Sequence, residues 1–152
     1  MKNKRGFEIV SNWQAKGINI PVRKTAASAG YDLAAAITVT IAPQAIVLVP
    51  TGIKAYMQDD EVLEIYIRSS LAIKKQLRLA NNVGIIDADY YDNESNEGHI
   101  MLAMYNFGKE PVTLKQGERI AQGIFKKYLL TDGDNAGAGD KRQGGFGSTG
   151  SD

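Results

Sequence analysis

The chain has 152 residues, a formal net charge of +1 and no cysteine. This length suffices for one domain with a sizeable core, and the apolar fraction of 43% is typical of a globular chain rather than a disordered one. The near-neutral charge provides no global field that would attract nucleic acid or an anionic membrane, and the missing cysteines exclude disulfides, thiolate zinc sites and a cysteine nucleophile.

The basic segment at residues 1–5 is followed by no long apolar stretch, so the sequence predicts neither a signal peptide nor a membrane span, and we expect a cytoplasmic protein. Beyond it, short runs rich in β-branched residues alternate with proline and glycine, a pattern typical of strands joined by turns. Strands are predicted at residues 18–22, 37–41, 46–49, 53–57, 62–67, 77–80, 83–86, 99–106, 112–114 and 119–128. Many short strands indicate an all-β fold, a jelly-roll-like barrel or sandwich.

One short helix and a C-terminal tail complete the predicted organisation. Residues 70–76 are the helical candidate, with Ser69 or Ser70 available to cap the first turn. From residue 131 to 152 the apolar pattern stops, and 7 of these 22 residues are glycine. Such a segment buries too little to order itself. The sequence therefore predicts a β-barrel domain at residues 1–130 and a flexible glycine-rich arm at 131–152; a frayed tail is the simpler alternative.

The stretch at residues 84–90 combines an apolar run with two carboxylates and a tyrosine. An apolar run predicts a buried strand, and Asp87 ends that run beside Asp89 and Tyr90. A carboxylate at the end of an apolar strand is either a base held for chemistry or the start of an ordinary turn. Only the other candidate groups can decide between these two interpretations.

Two clusters have the chemistry of a phosphate site. At Arg68, Ser69 and Ser70 a guanidinium, two hydroxyls and the first helical N–H groups converge. Asp32 follows a tight turn at Gly30, and beside phosphates such a carboxylate is a natural outer-sphere partner for Mg²⁺. The alternatives are a helix cap with a surface arginine for the first cluster and a turn aspartate for the second.

Two amides and one imidazole are further candidate functional groups. Asn81 lies three residues before the apolar run of residues 84–86, where its amide can read the edge of a base or cap a turn. Gln122 interrupts a predicted apolar strand and needs a polar partner, either a backbone group or a ligand. His99, the only histidine, has no nearby serine or cysteine nucleophile pattern, so triad chemistry is not predicted.

The arm contains a second group of anion-directed residues. Arg142 offers a planar fork suited to phosphate oxygens, Gly147 lets a backbone N–H group approach an anion closely, and Ser148 and Thr149 add hydroxyls. Phe146 has no apolar neighbours, so stacking on a flat ligand such as a nucleobase is its most plausible use. The end of a flexible linker is the alternative.

Taken in order, these clusters resemble the five sequence motifs of the trimeric deoxyuridine triphosphate pyrophosphatases, the dUTPases. The matching segments are residues 29–33, 68–72, 84–90, 117–122 and 142–150, which span about four-fifths of the chain. Each motif is weak alone, whereas five in series are very specific. The resemblance implies a jelly-roll fold and a homotrimer with three active sites at subunit boundaries. It also implies Mg²⁺-dependent hydrolysis of dUTP to dUMP and pyrophosphate, which keeps uracil out of DNA and supplies dUMP for dTMP synthesis.

The resemblance also implies roles for individual residues. Asp87 would be the base that orients and deprotonates the water attacking the α-phosphorus. Arg68, Ser69 and Ser70 would hold phosphate oxygens, assisted by Gln122. The carboxylate of Asp32 would act on the metal through water.

For the nucleoside, the resemblance implies that Asn81 and the backbone around Gly84 and Ile86 read uracil. Tyr90 would pack against the deoxyribose and leave no room for a 2′-hydroxyl. The arm would close over a site on another subunit. There Phe146 would stack on uracil, and the γ-phosphate would be held by Arg142, Gly147, Ser148 and Thr149.

The chain departs from the family pattern immediately after Tyr90. The family usually turns at once into the next strand, whereas residues 91–96 intervene here. This insertion is acidic and polar, so we expect a solvated hairpin tip. Register from Asp87 favours Tyr90 over Tyr91 as the residue that covers the sugar. For Asp89 we expect a side chain that points to the face opposite Asp87 and a structural role.

Two other functions fit parts of the pattern. The dCTP deaminases share the fold and resemble residues 98–106, but they have a catalytic glutamate where this chain has Ala103, so deamination is not predicted. A nucleotide-sensing regulator that binds a protein partner through the insertion at 91–96 is compatible with the sequence as an addition to catalysis. As a replacement it is disfavoured, because Asp87, Arg68 and the arm motif are all present.

Overall fold

A computed structural model describes residues 2–135, 142, 144 and 145, and its architecture is all-β. Within this part of the chain lie eleven strands, one α-helix and two short 3-10 segments at Ser11–Trp13 and Ala88–Tyr90. The strands are β1 Gly6–Ile9, β2 Tyr31–Ala34, β3 Val39–Ile41, β4 Ile46–Pro50, β5 Ile53–Tyr56, β6 Glu61–Ile67, β7 Leu77–Leu79, β8 Gly84–Asp87, β9 Met101–Asn106, β10 Val112–Leu114 and β11 Arg119–Lys127; the helix α1 is Ser69–Lys74.

The strands form four small antiparallel sheets. The largest has the order β2-β11-β6-β8, and a three-stranded sheet has the order β4-β9-β7. Strand β1 pairs with β5, and β10 pairs with β3. Most neighbours in these sheets are distant in sequence, which is typical of jelly-roll and Greek-key connections. The predicted all-β fold with one short helix is therefore confirmed.

The core lies between the sheets and follows from alternation along the strands. In β9 the side chains of Leu102, Met104 and Asn106 are buried while their neighbours are half-buried, as the period of two in a strand requires. Buried Asn106 is fully paired: its amide nitrogen donates to two backbone carbonyls, and its Oδ1 accepts the N–H of Gly108. The remaining core is aliphatic, and at under 2% exposure it includes Leu33, Ile41, Leu63, Ile65, Leu77, Leu79, Ile100, Leu114 and Ile120.

One predicted strand is absent, and two others were not predicted. Residues 18–22 form no strand: Ile20 and Val22 are 44% and 65% exposed. β-branched residues favour a strand only where a neighbouring strand pairs with them along their length. Here the contact with β2 is limited to one hydrogen bond from the N–H of Asp32 to the carbonyl of Val22 and an isolated bridge at Arg23. Conversely, β1 is short and follows a basic stretch, and the predicted turn after Gly30 leads directly into β2.

The helix begins one residue earlier than predicted and ends two residues sooner. Its N-cap is Arg68, and among the described residues no side chain caps the first turn, so the prediction that Ser69 or Ser70 is the cap is wrong. The helix stops before Gln76, whose φ of +54° is incompatible with helical continuation. Both serine side chains are exposed and are not used to cap the helix.

Several large apolar side chains remain at the surface. Ile46 and Leu48 on β4 are 60% and 48% exposed, and Leu129 and Leu130, just beyond β11, are 96% and 68% exposed. Among the described residues, no helix has the length and apolar character needed to cross a bilayer.

Candidate active site

An apolar pocket of about 210 Å³, here called pocket A, opens beside strand β8. Its walls come from β6, β7, β8, β9 and the 3-10 segment after β8, together with two residues of the arm. These two arm residues line the pocket of their own chain, whereas we expected the arm to close over a site on another subunit. The lining residues are Ile65, Leu79, Asn81, Gly84, Ile85, Ile86, Asp87, Tyr90, Met101, Leu102, Ala103, Arg142 and Gly145. The structure thus brings together the predicted base-reading residues Asn81, Gly84 and Ile86 with Asp87 and Tyr90.

Strand β8 offers its backbone to this pocket. It is the last strand of its sheet and pairs with β6 on one side, and within the described chain no strand pairs with its other edge. The N–H and C=O groups on that edge are therefore open to a ligand. At Gly84 an added Cβ would lie 3.1 Å from the Cβ of Ile65, so glycine keeps the two strands close and the pocket open.

Asp87 ends β8 at the rim of pocket A with its side chain 50% exposed. The guanidinium of Arg142 reaches it: Nη2 donates to Oδ2 of Asp87 at 2.5 Å, and Nε donates to Oδ1 of Asp89 at 2.7 Å. The expectation that Asp89 points to the opposite face is therefore wrong. Residues two apart in a strand share a face, so alternation itself would have placed both carboxylates together. The 3-10 segment that begins at Ala88 keeps them together, and both contact one arginine.

Tyr90 forms a wall of pocket A and is only 6% exposed. Its hydroxyl donates to the backbone carbonyl of His99 at 2.7 Å and accepts from Nδ2 of Asn96 at 2.8 Å. Burial raises the pKa of the Tyr90 hydroxyl, although the Asn96 hydrogen bond acts in the opposite direction. Tyr91 points elsewhere and donates its hydroxyl to Glu8 at 2.7 Å. Of the two tyrosines, Tyr90 is thus the one at the pocket, as its register predicted.

A second cleft of about 300 Å³, here called pocket B, is polar and open. It is lined by Lys24, Ser28, Gly30, Asp32, Arg68, Ser69, Ser70 and Gln122. Asp32 on β2 stands opposite Gln122 on β11, which stands opposite Tyr66 on β6, so the three side chains leave the same face of the sheet. The structure therefore assembles the predicted phosphate-binding residues with the predicted metal-directed carboxylate.

Close packing fixes the amide of Gln122 in pocket B. A Cβ added to Gly30 would lie 2.4 Å from Oε1 of Gln122 and 2.9 Å from its Cβ, so only glycine fits there. The guanidinium of Arg68 donates from Nη1 to the carbonyl of Arg119 at 3.1 Å, which leaves its other N–H groups for an anion. Arg119 in turn forms an ion pair with Asp32 at 3.2 Å.

The residues of pocket B could hold Mg²⁺ only together with substrate phosphates and water. Among the described residues no group of three or more carboxylate or histidine side chains is arranged to hold a metal ion by itself. Magnesium, however, commonly keeps several waters and is held by one or two carboxylates together with substrate phosphates. Asp32, placed beside an anion-directed cleft, matches that mode of binding.

Within one chain the two pockets lie far apart. Asp87 pairs with Val62 near the start of β6, whereas Arg68 follows the end of the same strand. Arg68 is six positions beyond Val62, and at a rise of about 3.3 Å per residue the backbones of Asp87 and Arg68 are about 20 Å apart. The Arg68 side chain is held at the carbonyl of Arg119 and the Asp87 side chain at Arg142, so the two do not meet within one chain.

The insertion at residues 91–96 is only in part the solvated tip that we expected, because Asp92, Glu94 and Ser95 are exposed whereas other residues pack against the fold. Asn93 is 8% exposed, and Asp92 forms an ion pair with Lys54, itself only 8% exposed. Asn96 contacts the hydroxyl of Tyr90, so the insertion packs behind pocket A. A polar composition predicts solvation only when the polar groups have no partners within the fold, and here the fold supplies them.

Some predicted residues lie outside the described part of the chain, and some pocket residues were missed. Phe146, Gly147, Ser148 and Thr149 belong to the first group. The second includes Asn96 and Gly145, which line or support pocket A, and Lys24 in pocket B. Lys24 and Asn96 carry no motif; only their position in the fold reveals them. Gly145 lies between motif residues, and an added Cβ there would approach Cε1 of Tyr90 to 3.1 Å.

His99 contributes to pocket A through its backbone carbonyl, which accepts the hydrogen bond from Tyr90, and its imidazole ring has no acid–base role there. Its Nε2 accepts the N–H of Gly52 at 2.8 Å, so the ring is held neutral by a donor, and burial lowers its pKa. This arrangement agrees with the prediction that the imidazole performs no triad chemistry.

Comparison with known proteins shows the family to which the chain belongs. The dUTPase family model matches residues 16–150. A deoxyuridine 5′-triphosphate nucleotidohydrolase of Lactococcus lactis subsp. lactis (strain IL1403) is 55% identical over 146 residues, which are 96% of this chain and 97% of that protein. The crystal structure of dUTPase from Streptococcus mutans superimposes with a TM-score of 0.80 at 51% identity, covering 84% of this chain and 99% of the other.

A more distant structure shares the fold alone. The dUTPase from phage phi11 of S. aureus, described as coordinating a structural Mg(II) ion, superimposes with a TM-score of 0.72 at 17% identity, covering 89% of this chain and 97% of that one. Fold, pockets and relatives together place the chain among the all-β nucleotide hydrolases. Within that class it belongs to the dUTPase family, and it is a dUTP-hydrolysing enzyme.

Proposed function

We propose that the reaction proceeds by attack of a water molecule on the α-phosphorus of dUTP, with Asp87 as the general base. The water oxygen forms the new bond to phosphorus and its proton passes to Asp87, while the bond to the bridging oxygen breaks and pyrophosphate leaves with the electron pair. The position of Asp87 carries this assignment, because its half-exposed carboxylate stands at the rim of pocket A, where water and nucleotide can both reach it.

The active site is shared between subunits of a homotrimer. This proposal is supported by the separation of about 20 Å between Asp87 and Arg68 along β6, because both groups must act on one triphosphate. Pocket A of one subunit then faces pocket B of the next, and a ring closed in this way contains three such sites. The exposed Ile46, Leu48, Leu129 and Leu130 give the chain apolar surface for contacts between subunits.

Pocket B holds the triphosphate. Arg68 provides a permanently charged guanidinium group, and the hydroxyls of Ser69 and Ser70, which do not cap α1, add donors at the start of that helix. Gln122, fixed by its contact with Gly30, donates from its amide. Asp32 would hold Mg²⁺ through water beside the phosphates, and the bound ion would help to neutralise the charge that develops there.

Pocket A selects the nucleoside. The free edge of β8 at Gly84 and Ile86 offers backbone donors and acceptors to the edge of uracil, and Asn81 adds an amide. Tyr90 stands as a rigid wall where the deoxyribose would lie and leaves no room for a 2′-hydroxyl. Ala103, in the same lining, provides no carboxylate, so pocket A lacks the glutamate expected of a dCTP deaminase at this position.

The glycine-rich arm completes the site. Gly145 lies against the ring of Tyr90, and the Arg142 guanidinium is 5.9 Å from the centre of that ring. Arg142 pairs with Asp87 and Asp89. On binding dUTP it would exchange these carboxylates for γ-phosphate oxygens, while Phe146 stacks on uracil and Asp87 is freed to contact the catalytic water.

The test is hydrolysis of dUTP, dTTP, dCTP, dATP, dGTP and UTP by the wild type and by Asp87→Asn, with and without Mg²⁺. We expect dUTP-selective, Mg²⁺-stimulated release of pyrophosphate. The variant should bind dUTP normally and lose at least about a hundredfold in kcat, because the amide cannot accept the proton. Comparable hydrolysis of UTP or dTTP would contradict the role of Tyr90 and β8. Undiminished turnover by the variant would contradict the role of Asp87.

A further inference from the structure

The hydroxyl of Tyr90 is held by two hydrogen bonds, and one of them comes from the insertion. The hydroxyl has a single proton, which goes to the carbonyl of His99 at 2.7 Å. The contact with Asn96 at 2.8 Å must therefore be donated by the Nδ2 amide of Asn96. A tyrosine that packs against a substrate is thus fixed at its far end by a side chain that no motif contains.

The orientation of the Asn96 amide is itself determined. Its Oδ1 accepts from the Nδ2 of Asn93 at 2.8 Å and from the backbone N–H of Gly98 at 3.0 Å. Reversing the amide would place an NH₂ group against two donors, so only one orientation satisfies the network. The Nδ2 of Asn96 consequently points to the Tyr90 hydroxyl.

The insertion is built around Tyr90. Asn93 Nδ2 also donates to the backbone carbonyl of Tyr90 at 2.7 Å, and its Oδ1 accepts the N–H groups of Ser95 and Asn96. Gly98 has a φ of +86°, and an added Cβ there would lie 2.8 Å from the Tyr90 carbonyl. Both ends of the ring-bearing residue, backbone and hydroxyl, therefore contact the same turn.

A buried ammonium fixes this turn to the barrel. Lys54 on β5, with a side chain only 10% exposed, lies 2.5 Å from Asp92 and 3.4 Å from Glu97, the carboxylates on either side of the two asparagines. It also lies 3.8 Å from Glu8 on β1. A desolvated cation shared by three carboxylates resists displacement, because moving away would leave a buried charge unpaired. The turn is thus a fixed support and not a mobile tip.

We propose that Asn96 is a positioning residue for sugar selectivity, and that the insertion at 91–96 acts as a rigid support for the wall that excludes the 2′-hydroxyl. The inference rests on the proposed place of Tyr90 beside the deoxyribose. A tyrosine ring tethered only at Cβ can tilt to make room for an extra hydroxyl. A ring also held at its hydroxyl by Asn96 and His99 cannot tilt without breaking a buried hydrogen bond.

The decisive variant is Asn96→Asp, with Glu94→Ala, an exposed position in the same insertion, as the matched control. Aspartate keeps the Oδ1 acceptor for Asn93 and Gly98 but has no donor. The single proton of the Tyr90 hydroxyl can then serve only one of two acceptors, the carbonyl of His99 or the new carboxylate, so one of the two bonds that hold the ring is lost. We expect the ratio of kcat/KM for UTP to that for dUTP to rise about tenfold, with kcat for dUTP within about threefold of wild type. Glu94→Ala should leave the ratio unchanged.

A double-mutant cycle with Tyr90→Phe separates positioning from general loosening of the fold. Tyr90→Phe removes the hydroxyl and with it both bonds, the one from Asn96 and the one to His99, and should raise the UTP ratio by itself, which keeps the proposal testable if Asn96→Asp fails to fold. In the Tyr90→Phe background, Asn96→Asp should produce no further rise, because the two residues act through one contact. A purely structural role would give additive effects.

The outcomes distinguish this inference from the proposed function. If the wild type prefers dUTP but folded Asn96→Asp retains the wild-type ratio, or if its effect persists unchanged in Tyr90→Phe, the role of Asn96 is overturned and Asp87 chemistry stands. If the wild type hydrolyses UTP as readily as dUTP, the sugar role of Tyr90 fails first, and the role of Asn96 fails with it.

Discussion

The separation of Asp87 from Arg68 leads to a prediction about mixed trimers. Two variants, Asp87→Asn and Arg68→Ala, each remove one half of the proposed site. Each homotrimer should be nearly inactive, because every site lacks either its base or its phosphate-binding arginine. The two chains should nevertheless restore activity to one another when they assemble in the same ring, since the barrel places these groups about 20 Å apart in any one chain.

The size of the recovery follows from the geometry of a three-membered ring. Each site takes Asp87 from one subunit and Arg68 from the next in a fixed direction around the ring. In a trimer that contains both variants, in either proportion, one of the three junctions joins an intact Asp87 to an intact Arg68. We therefore expect mixed trimers to have about one third of the wild-type kcat and an unchanged KM for dUTP.

The assay needs trimers of defined composition. Co-expression with two different affinity tags, followed by purification on both, removes the homotrimers, and release of pyrophosphate from dUTP is then measured per mole of trimer. Asp87→Asn chains carrying both tags are the control and should stay inactive. Mixed trimers as inactive as their parents would refute the shared site and would require Asp87 and Arg68 of one chain to act together.

Two further predictions concern the packing of the barrel. Gly30→Ala should lower kcat/KM for dUTP about 10- to 100-fold, because the new methyl group would displace Gln122. Ala27→Ser, at an exposed position nearby, serves as the control. An unaltered kcat/KM in Gly30→Ala would show that activity does not require the present position of Gln122. The buried Glu61 is paired with Arg5, whose hydrogen bond holds the pKa of Glu61 below its ordinary value against the effect of burial. Its lowered pKa means that this stabilisation is present above the ordinary glutamate pKa and is lost as the pH falls through the lower folded value. Glu61→Gln should therefore melt roughly 2–4 °C lower near pH 7, with the difference shrinking in acid; a difference that is constant with pH would contradict this linkage.

Much of the fold was visible in the sequence. Alternation and β-branched runs predicted β6, β9 and β11 closely, because strands buried on one or both faces carry their pattern locally. The failure at residues 18–22 has the same physical origin. A run of β-branched residues has the propensity for a strand, but pairing depends on whether another strand arrives beside it, and no local pattern contains that information.

The sequence by itself determined the chemistry of the site. Residues such as Asp87, Arg68 and Tyr90 were recognisable because their types and order match what nucleotide hydrolysis requires. Their neighbours along the chain did not reveal that Asn96 holds the hydroxyl of Tyr90, that Asp89 shares an arginine with Asp87, or that Lys54 forms an ion pair with the insertion.

Only the tertiary structure decided which of these groups can meet. The register of β6 against β8 places Asp87 and Arg68 at opposite ends of one strand. This separation is the reason for proposing a site that is shared between subunits. The insertion behind Tyr90 owes its order to partners as distant in sequence as Glu8 and Lys54. Motifs are local in sequence, whereas distances and hydrogen-bond partners are set by pairing between distant segments. The candidate groups could therefore be predicted from the sequence, but their arrangement depends on the fold.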